Sequence, residues 1–173
     1  MLYLITDTHL GHQNMLKSCS RPARFTNLIF DNCRKMVKSE GTLIHLGDVA
    51  WNAEELMRFM KLLGRKILVR GNHDKKSTAY YMDAGFALVV DSVTMTLQGI
   101  RILFLHAPLY GHTADINIHG HQHDLHFEDV SRQSSPKSPS TTMKSSRVSC
   151  FCSGKDLLLS LSMSMGIWVL PVR

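Results

Sequence analysis

Apolar residues fall along this chain in short runs, each followed at once by polar ones. Leu2-Tyr3-Leu4-Ile5-Thr6 runs into Asp7-Thr8-His9, and Thr42-Leu43-Ile44-His45-Leu46 into Gly47-Asp48. Lys66-Ile67-Leu68-Val69-Arg70 runs into Gly71-Asn72-His73-Asp74. Ile100-Arg101-Ile102-Leu103-Phe104-Leu105 ends at His106, and Asp115-Ile116-Asn117-Ile118-His119 at Gly120-His121-Gln122-His123. Short β-branched runs closed by turn-forming residues predict buried strands. Helical patterns separate the first three. Phe25 to Lys38 places Leu28, Ile29, Cys33, Met36 and Val37 toward a core. Asn52 caps a second helix, with Glu54 and Glu55 at its positive end and Leu56, Phe59, Met60 and Leu63 as its apolar stripe, until Gly64 stops it. The order β, α, β, α, β implies a largely parallel sheet with helices on its faces.

From Phe86 the pattern changes. A weak helical piece, Lys76 to Ala84, gives way to Phe86–Val90, Val93–Leu97, a Gln98-Gly99 turn and Ile100–Leu105. These read as consecutive strands joined by hairpins, so a second, antiparallel or mixed sheet should pack on the first. Ser131 to Ser153 differs in kind: it holds nine Ser, two Thr, two Pro and four Lys or Arg. Such a composition cannot bury enough surface to offset its ordering entropy and reads as a basic linker or inserted loop. Leu157–Leu161 and Ile167–Val172 could return to the sheet as terminal strands. The organisation expected is therefore 1–129, 130–155 and 156–173: main domain, Ser-rich linker or inserted loop, and closing strands.

Composition narrows the class. The 173 residues support one domain with a sizeable core. No apolar run approaches the roughly 18–20 residues that span a bilayer, and the N-terminus lacks a signal-peptide pattern, so a cytoplasmic protein without membrane attachment is expected. Cys19, Cys33, Cys150 and Cys152 show no C-x-x-C spacing, which favours reduced thiols. The net charge of +6 sits unevenly: residues 1–129 carry 14 Lys and Arg against 13 Asp and Glu, residues 130–173 carry 6 against 1. The basic character belongs to the tail, which argues against tight duplex binding by the rest.

Five strand ends deliver Asp7, His9, Asp48, Asn72, His106, His121 and His123. In open α/β sheets functional groups gather beyond the carboxyl ends of strands. Imidazoles mixed with hard oxygen suit Mn²⁺, Fe, Zn²⁺ or Ni²⁺ rather than Ca²⁺. Seven donors exceed one tetrahedral ion and match two. Two divalent ions against two carboxylates leave positive charge over, which favours a bound hydroxide and a phosphate-type anion.

The order Asp-x-His, Gly-Asp, Gly-Asn-His-Asp, His, Gly-His-x-His resembles the calcineurin-like metallophosphoesterase superfamily over about residues 1 to 127. Asp7-Thr8-His9-Leu10-Gly11-His12, with Arg21-Pro22 soon after, is similar to its small bacterial and phage members. The resemblance implies a four-layer α/β/β/α sandwich: two β-sheets flanked by helices. It implies Asp7, His9 and His123 on one metal, Asn72, His106 and His121 on the other, and Asp48 bridging them. Mn²⁺ is the first expectation for both. His73 would contact the phosphate and protonate the leaving oxygen, with Asp74 orienting its ring and raising its pKa. Asn72 would also face substrate.

His12, one helical turn from His9, and Arg21 are further candidates for an anion contact, each with a bland alternative: a helix-start histidine and a loop salt bridge. Trp51 could stack on a base or pack on the helix that follows it. His45 reads as a core or ligand-supporting residue, His119 and His126 as structural, and His112 as a surface residue. The leading expectation is a metal-dependent phosphoesterase acting on a diester or monoester. The alternatives are a nuclease of the same superfamily and a non-catalytic protein-binding scaffold on the same fold.

Overall fold

The computed structural model describes residues 1–19, 21–121, 149–152, 162–164 and 167–170. Chain order gives β1 (Leu2–Ile5), α1 (Met15–Ser18), α2 (Phe25–Met36), β2 (Thr42–His45), α3 (Ala53–Met60), β3 (Arg65–Val69), α4 (Thr78–Ala84) and β4 (Leu88–Val90). There follow β5 (Ser92–Leu97), β6 (Ile100–Leu105), β7 (Ile116–His119), β8 (Ser149–Cys152), β9 (Ser162–Ser164) and β10 (Ile167–Leu170). A six-stranded sheet runs β4-β3-β2-β1-β10-β9, and a four-stranded sheet β5-β6-β7-β8. The first four strands of the larger sheet are parallel to one another, and β10 lies antiparallel to β1. The smaller sheet pairs β6 and β7 parallel between two antiparallel neighbours.

Period-two alternation sorts each central strand between two cores. Tyr3, Ile5, Leu43, Leu68 and Val89 pack with Phe30 and Cys33 of α2, Leu56 and Phe59 of α3 and Tyr81 of α4. Leu2, Leu4, Ile44, Leu46 and Val69 pack with Ile102, Phe104, Ile116 and Ile118 of the smaller sheet. The result is the expected mixed α/β fold of two sheets with flanking helices. Among the described residues the helices that join a core, α2 to α4, do so on the larger sheet. No helix among the described residues is long and apolar enough to cross a membrane.

Three expectations need correcting. Phe86–Val90 does not begin the second sheet. β4 extends the parallel sheet beside β3, and α4 is the crossover that carries the chain there, capped by the Ser77 side chain at one end and Gly85, at φ 116°, at the other. A β-branched run specifies a strand but not its partner. The helical stripes also shift. Leu28 is exposed while Phe30 is fully buried, and Leu62 is buried while Leu63 is exposed. α3 ends at Met60, so beyond it the 3.6-residue period no longer holds. Finally, the last residues of the Ser-rich stretch, Ser149–Cys152, form β8 against β7. They include the β-prone Phe151, unlike the Ser, Pro and Lys before them. Leu157–Leu161 lies outside the described residues.

Candidate metal centre

Parallel pairing brings the carboxyl ends of β1, β2 and β3 to one edge, and the parallel β6 and β7 bring His106 and His121 to the same place. Backbone bonds then lace the loops: Asp7 N–H to Gly47 O (3.0 Å), His9 N–H to Asp48 O (2.9 Å) and Gly120 N–H to His106 O (2.9 Å). Positive φ angles cluster here. Asp7 (51°), His9 (44°), Asp48 (59°) and His121 (69°) all adopt the left-handed region, and among the described residues the one other non-glycine case is Gln98 in the β5–β6 hairpin turn. Asp and His enter that region more readily than most residues, still at a cost that the surrounding contacts must offset. Two glycines make the close approach possible. A Cβ at Gly71 would collide with the Asp48 carboxylate and one at Gly120 with Thr6 and Asp7, so no other residue fits there without movement.

The donors form two groups that meet at Asp48. Asp7, His9 and Asp48 are all buried and offer ligand atoms within 4.8 Å of one another. On the other side, His106 Nε2, Asn72 Oδ1 and His121 Nδ1 form a triangle with edges of 2.9, 3.1 and 3.0 Å. Asp48 Oδ2 lies 3.6 Å from His9 Nε2 and 3.5 Å from His106 Nε2, between the groups. Its other oxygen accepts the His73 N–H at 2.8 Å, which ties the 71–74 loop to it. His106 Nδ1 donates to the Leu46 carbonyl at 2.8 Å, so its Nε2 carries a lone pair into the triangle. Two imidazole nitrogens and an amide oxygen thus converge on one point, donor types that would hold a divalent cation. The donor set therefore fits divalent metal. His123 lies outside the described residues, as does His126.

His73 stands at the mouth. Its ring is exposed and lies 5.5 Å from the His9 ring and 5.8 Å from the Trp51 ring, centroid to centroid. Asp74 is not aimed at it. The Asp74 carboxylate is buried and accepts the backbone N–H groups of Asp48 (2.7 Å), Gly71 (2.9 Å) and Val49 (3.2 Å), so it clamps the two loops together. Burial pushes its carboxyl up while these N–H groups pull it down. Arg21 likewise turns to backbone: its two terminal nitrogens donate to the carbonyls of Thr8 (2.8 Å) and Asp7 (2.6 Å). The guanidinium fork thus holds the strained loop that presents Asp7 and His9. His12 stacks on Trp51 with ring centroids 3.7 Å apart and planes 1° from parallel.

The supporting residues are those sequence reasoning had least access to. Thr6 Oγ1 sits 2.6 Å from Asp7 Oδ2, which also accepts the His121 N–H at 2.9 Å. Thr8 donates to the Val49 carbonyl (2.6 Å), so His45 Nε2–H must donate to the Thr8 oxygen (2.8 Å). His45 is fully buried, and that burial, with His106 nearby, pulls its pKa down to about 3. It is a neutral strut beneath the site. His119 is buried too, its Nδ1 donating to the Gly120 carbonyl at 2.9 Å, and burial lowers its pKa. None of these bonds leaves a motif: a hydroxyl-to-carbonyl contact can be made from many places in a sequence.

Comparison with known proteins places this geometry in a family. An uncharacterized protein of Methanocaldococcus jannaschii is 27% identical over 74% of this chain and 72% of its own length. A protein of unknown function from Aquifex aeolicus, known by crystal structure, is 36% identical with a TM-score of 0.56. That match covers 62% of this chain, which spans about three-fifths (61%) of the Aquifex chain. A structure described as a novel archaeal phosphodiesterase aligns with 20% identity over 71% of this chain and 73% of that one, at a TM-score of 0.45. The model of the calcineurin-like phosphoesterase superfamily domain matches residues 1–135, and the chain belongs to that superfamily.

Proposed function

We propose that this chain is a metal-dependent phosphoesterase that hydrolyses a phosphodiester or phosphomonoester at two neighbouring divalent cations. The observation that carries the reading is Asp48: one carboxylate oxygen sits within 3.6 Å of a donor from each group. Asp7, His9 and Asp48 would hold one ion, joined by His123, and Asp48, Asn72, His106 and His121 the other. Paired ions would supply Lewis acidity and an activated water for displacement at phosphorus. The chain's own residues do the rest. His73, exposed beside the His9 ring, donates a proton to the departing oxygen. Asp74 holds the loop that carries it, and Arg21 holds the loop that carries Asp7 and His9.

A nuclease would use the same chemistry on a longer substrate. A non-catalytic scaffold would have no use for donors held in strained backbone. The test is hydrolysis of bis-p-nitrophenyl phosphate and p-nitrophenyl phosphate with Mn²⁺, Fe²⁺, Zn²⁺ or Ni²⁺. Turnover that falls roughly 10²–10⁴-fold in His73→Ala, with metal content unchanged, is expected. No turnover with any of these ions, or a His73→Ala rate equal to wild type, overturns the reading.

A further inference from the structure

Trp51 is a large aromatic residue left 54% exposed. It stands beside the site, not on the far side of the molecule. The bridge between Leu10 and Ala50 and the bond from Trp51 N–H to Leu10 O (2.9 Å) join the loop after β1 to the loop after β2. That pairing sets the His12 imidazole flat against the indole, 3.7 Å away. The same indole lies 5.8 Å from the His73 ring, which lies 5.5 Å from that of His9. A ring held parallel by a backbone-anchored neighbour is a rigid platform. Ordering it costs no further entropy when a second planar group arrives. Among the described residues Trp51 belongs to neither core.

We propose that Trp51, backed by His12, is a stacking platform for a planar aromatic ring carried by the phosphate ester, a nucleobase first among such rings. The proposal rests on the phosphoesterase reading and adds the substrate class to it. Aromatic stacking tolerates any base because each presents a π-face, so the platform selects for a ring rather than for one sequence. The phosphate would sit with His73 and the metal donors, the ring on Trp51, and the sugar between them.

The test compares adenosine 5′-monophosphate with ribose 5-phosphate, which keeps the phosphate and sugar and lacks the ring. Binding to Mn²⁺-loaded full-length protein is measured by calorimetry. Wild type is expected to bind the nucleotide roughly tenfold more tightly, the effect of stacking one base. Trp51→Ala should remove that preference while leaving ribose 5-phosphate affinity unchanged, and Trp51→Phe should restore part of it. In a Trp168→Phe background, the nucleotide alone should quench the Trp51 fluorescence. Equal affinity of wild type for the two ligands, alongside hydrolysis of simple phosphoesters, overturns the platform and spares the phosphoesterase reading. Failure to bind either ligand, with no hydrolysis, removes both. A nucleotide preference that survives in Trp51→Ala overturns the platform alone.

Discussion

Asp48 holds its left-handed backbone because Asp74 accepts its N–H and that of Val49, while its own Oδ1 accepts the His73 N–H. Replacing Asp48 with Asn removes one negative charge from the centre of the donor set. The expected result is loss of most bound metal on elemental analysis, together with loss of turnover. Arg21→Lys tests the positioning role separately. A lysine keeps the charge but cannot fork onto two successive carbonyls. Metal affinity should fall roughly 10–100-fold, the usual effect of losing a group that orients ligands, and calorimetric titration with Mn²⁺ reads it. An unchanged affinity would count against the positioning role. His45 yields a prediction of opposite kind. Its folded pKa, about 3, lies far below the ordinary 6.5, so the native state resists a proton that the unfolded chain accepts. Its stabilising effect is full above about pH 6.5 and is lost as pH falls toward 3. The loss approaches about 1.4 kcal/mol per pH unit between those limits. With metal chelated, His45→Gln should show a shallower fall in urea midpoint over pH 6.5 to 4 than wild type.

Among the elements, α3 shows how a buried charge can serve local structure. Lys66, on β3, is only 5% exposed, and its ammonium donates to the carbonyls of Leu62 (2.5 Å) and Gly64 (3.0 Å) just beyond the helix. It thereby ties down the loop that joins α3 to β3, while Asn52 caps the start of the helix by accepting the Glu55 N–H. Burial lowers the lysine's pKa, a cost the two carbonyls offset. Lys66→Met should destabilise the fold by about 1–3 kcal/mol, read as a lower urea midpoint at constant slope. The Asn52 cap and the first three strands were legible in sequence, because capping and hydrophobic period are local. The partner of β4 was not, since strand pairing depends on where α4 delivers the chain.

For the whole molecule, the two cores on either side of the larger sheet fix the strand ends, and the loops at those ends carry the strain. Metal should therefore couple to global stability. Excess Mn²⁺ at about 100 times its dissociation constant should add about 2.7 kcal/mol and raise the melting temperature, EDTA should reverse this, and Asp48→Asn should be nearly insensitive. A melting temperature indifferent to Mn²⁺ in wild type would count against a folded-state metal centre.

Short-range chemistry determined much from the sequence alone: which runs became strands, that Asn52 starts a helix, and which residue types stand at the strand ends. Tertiary structure alone decided what those ends do together. Asn72, His106 and His121 converge because β3 belongs to one sheet and β6 and β7 to the other, and the two sheets pack face to face. Asp74 and Arg21 turned out to grip backbone because the carbonyls and N–H groups they hold come from distant or strained loops. A backbone group offers the same atoms at every residue, so no pattern of side chains could have announced those contacts.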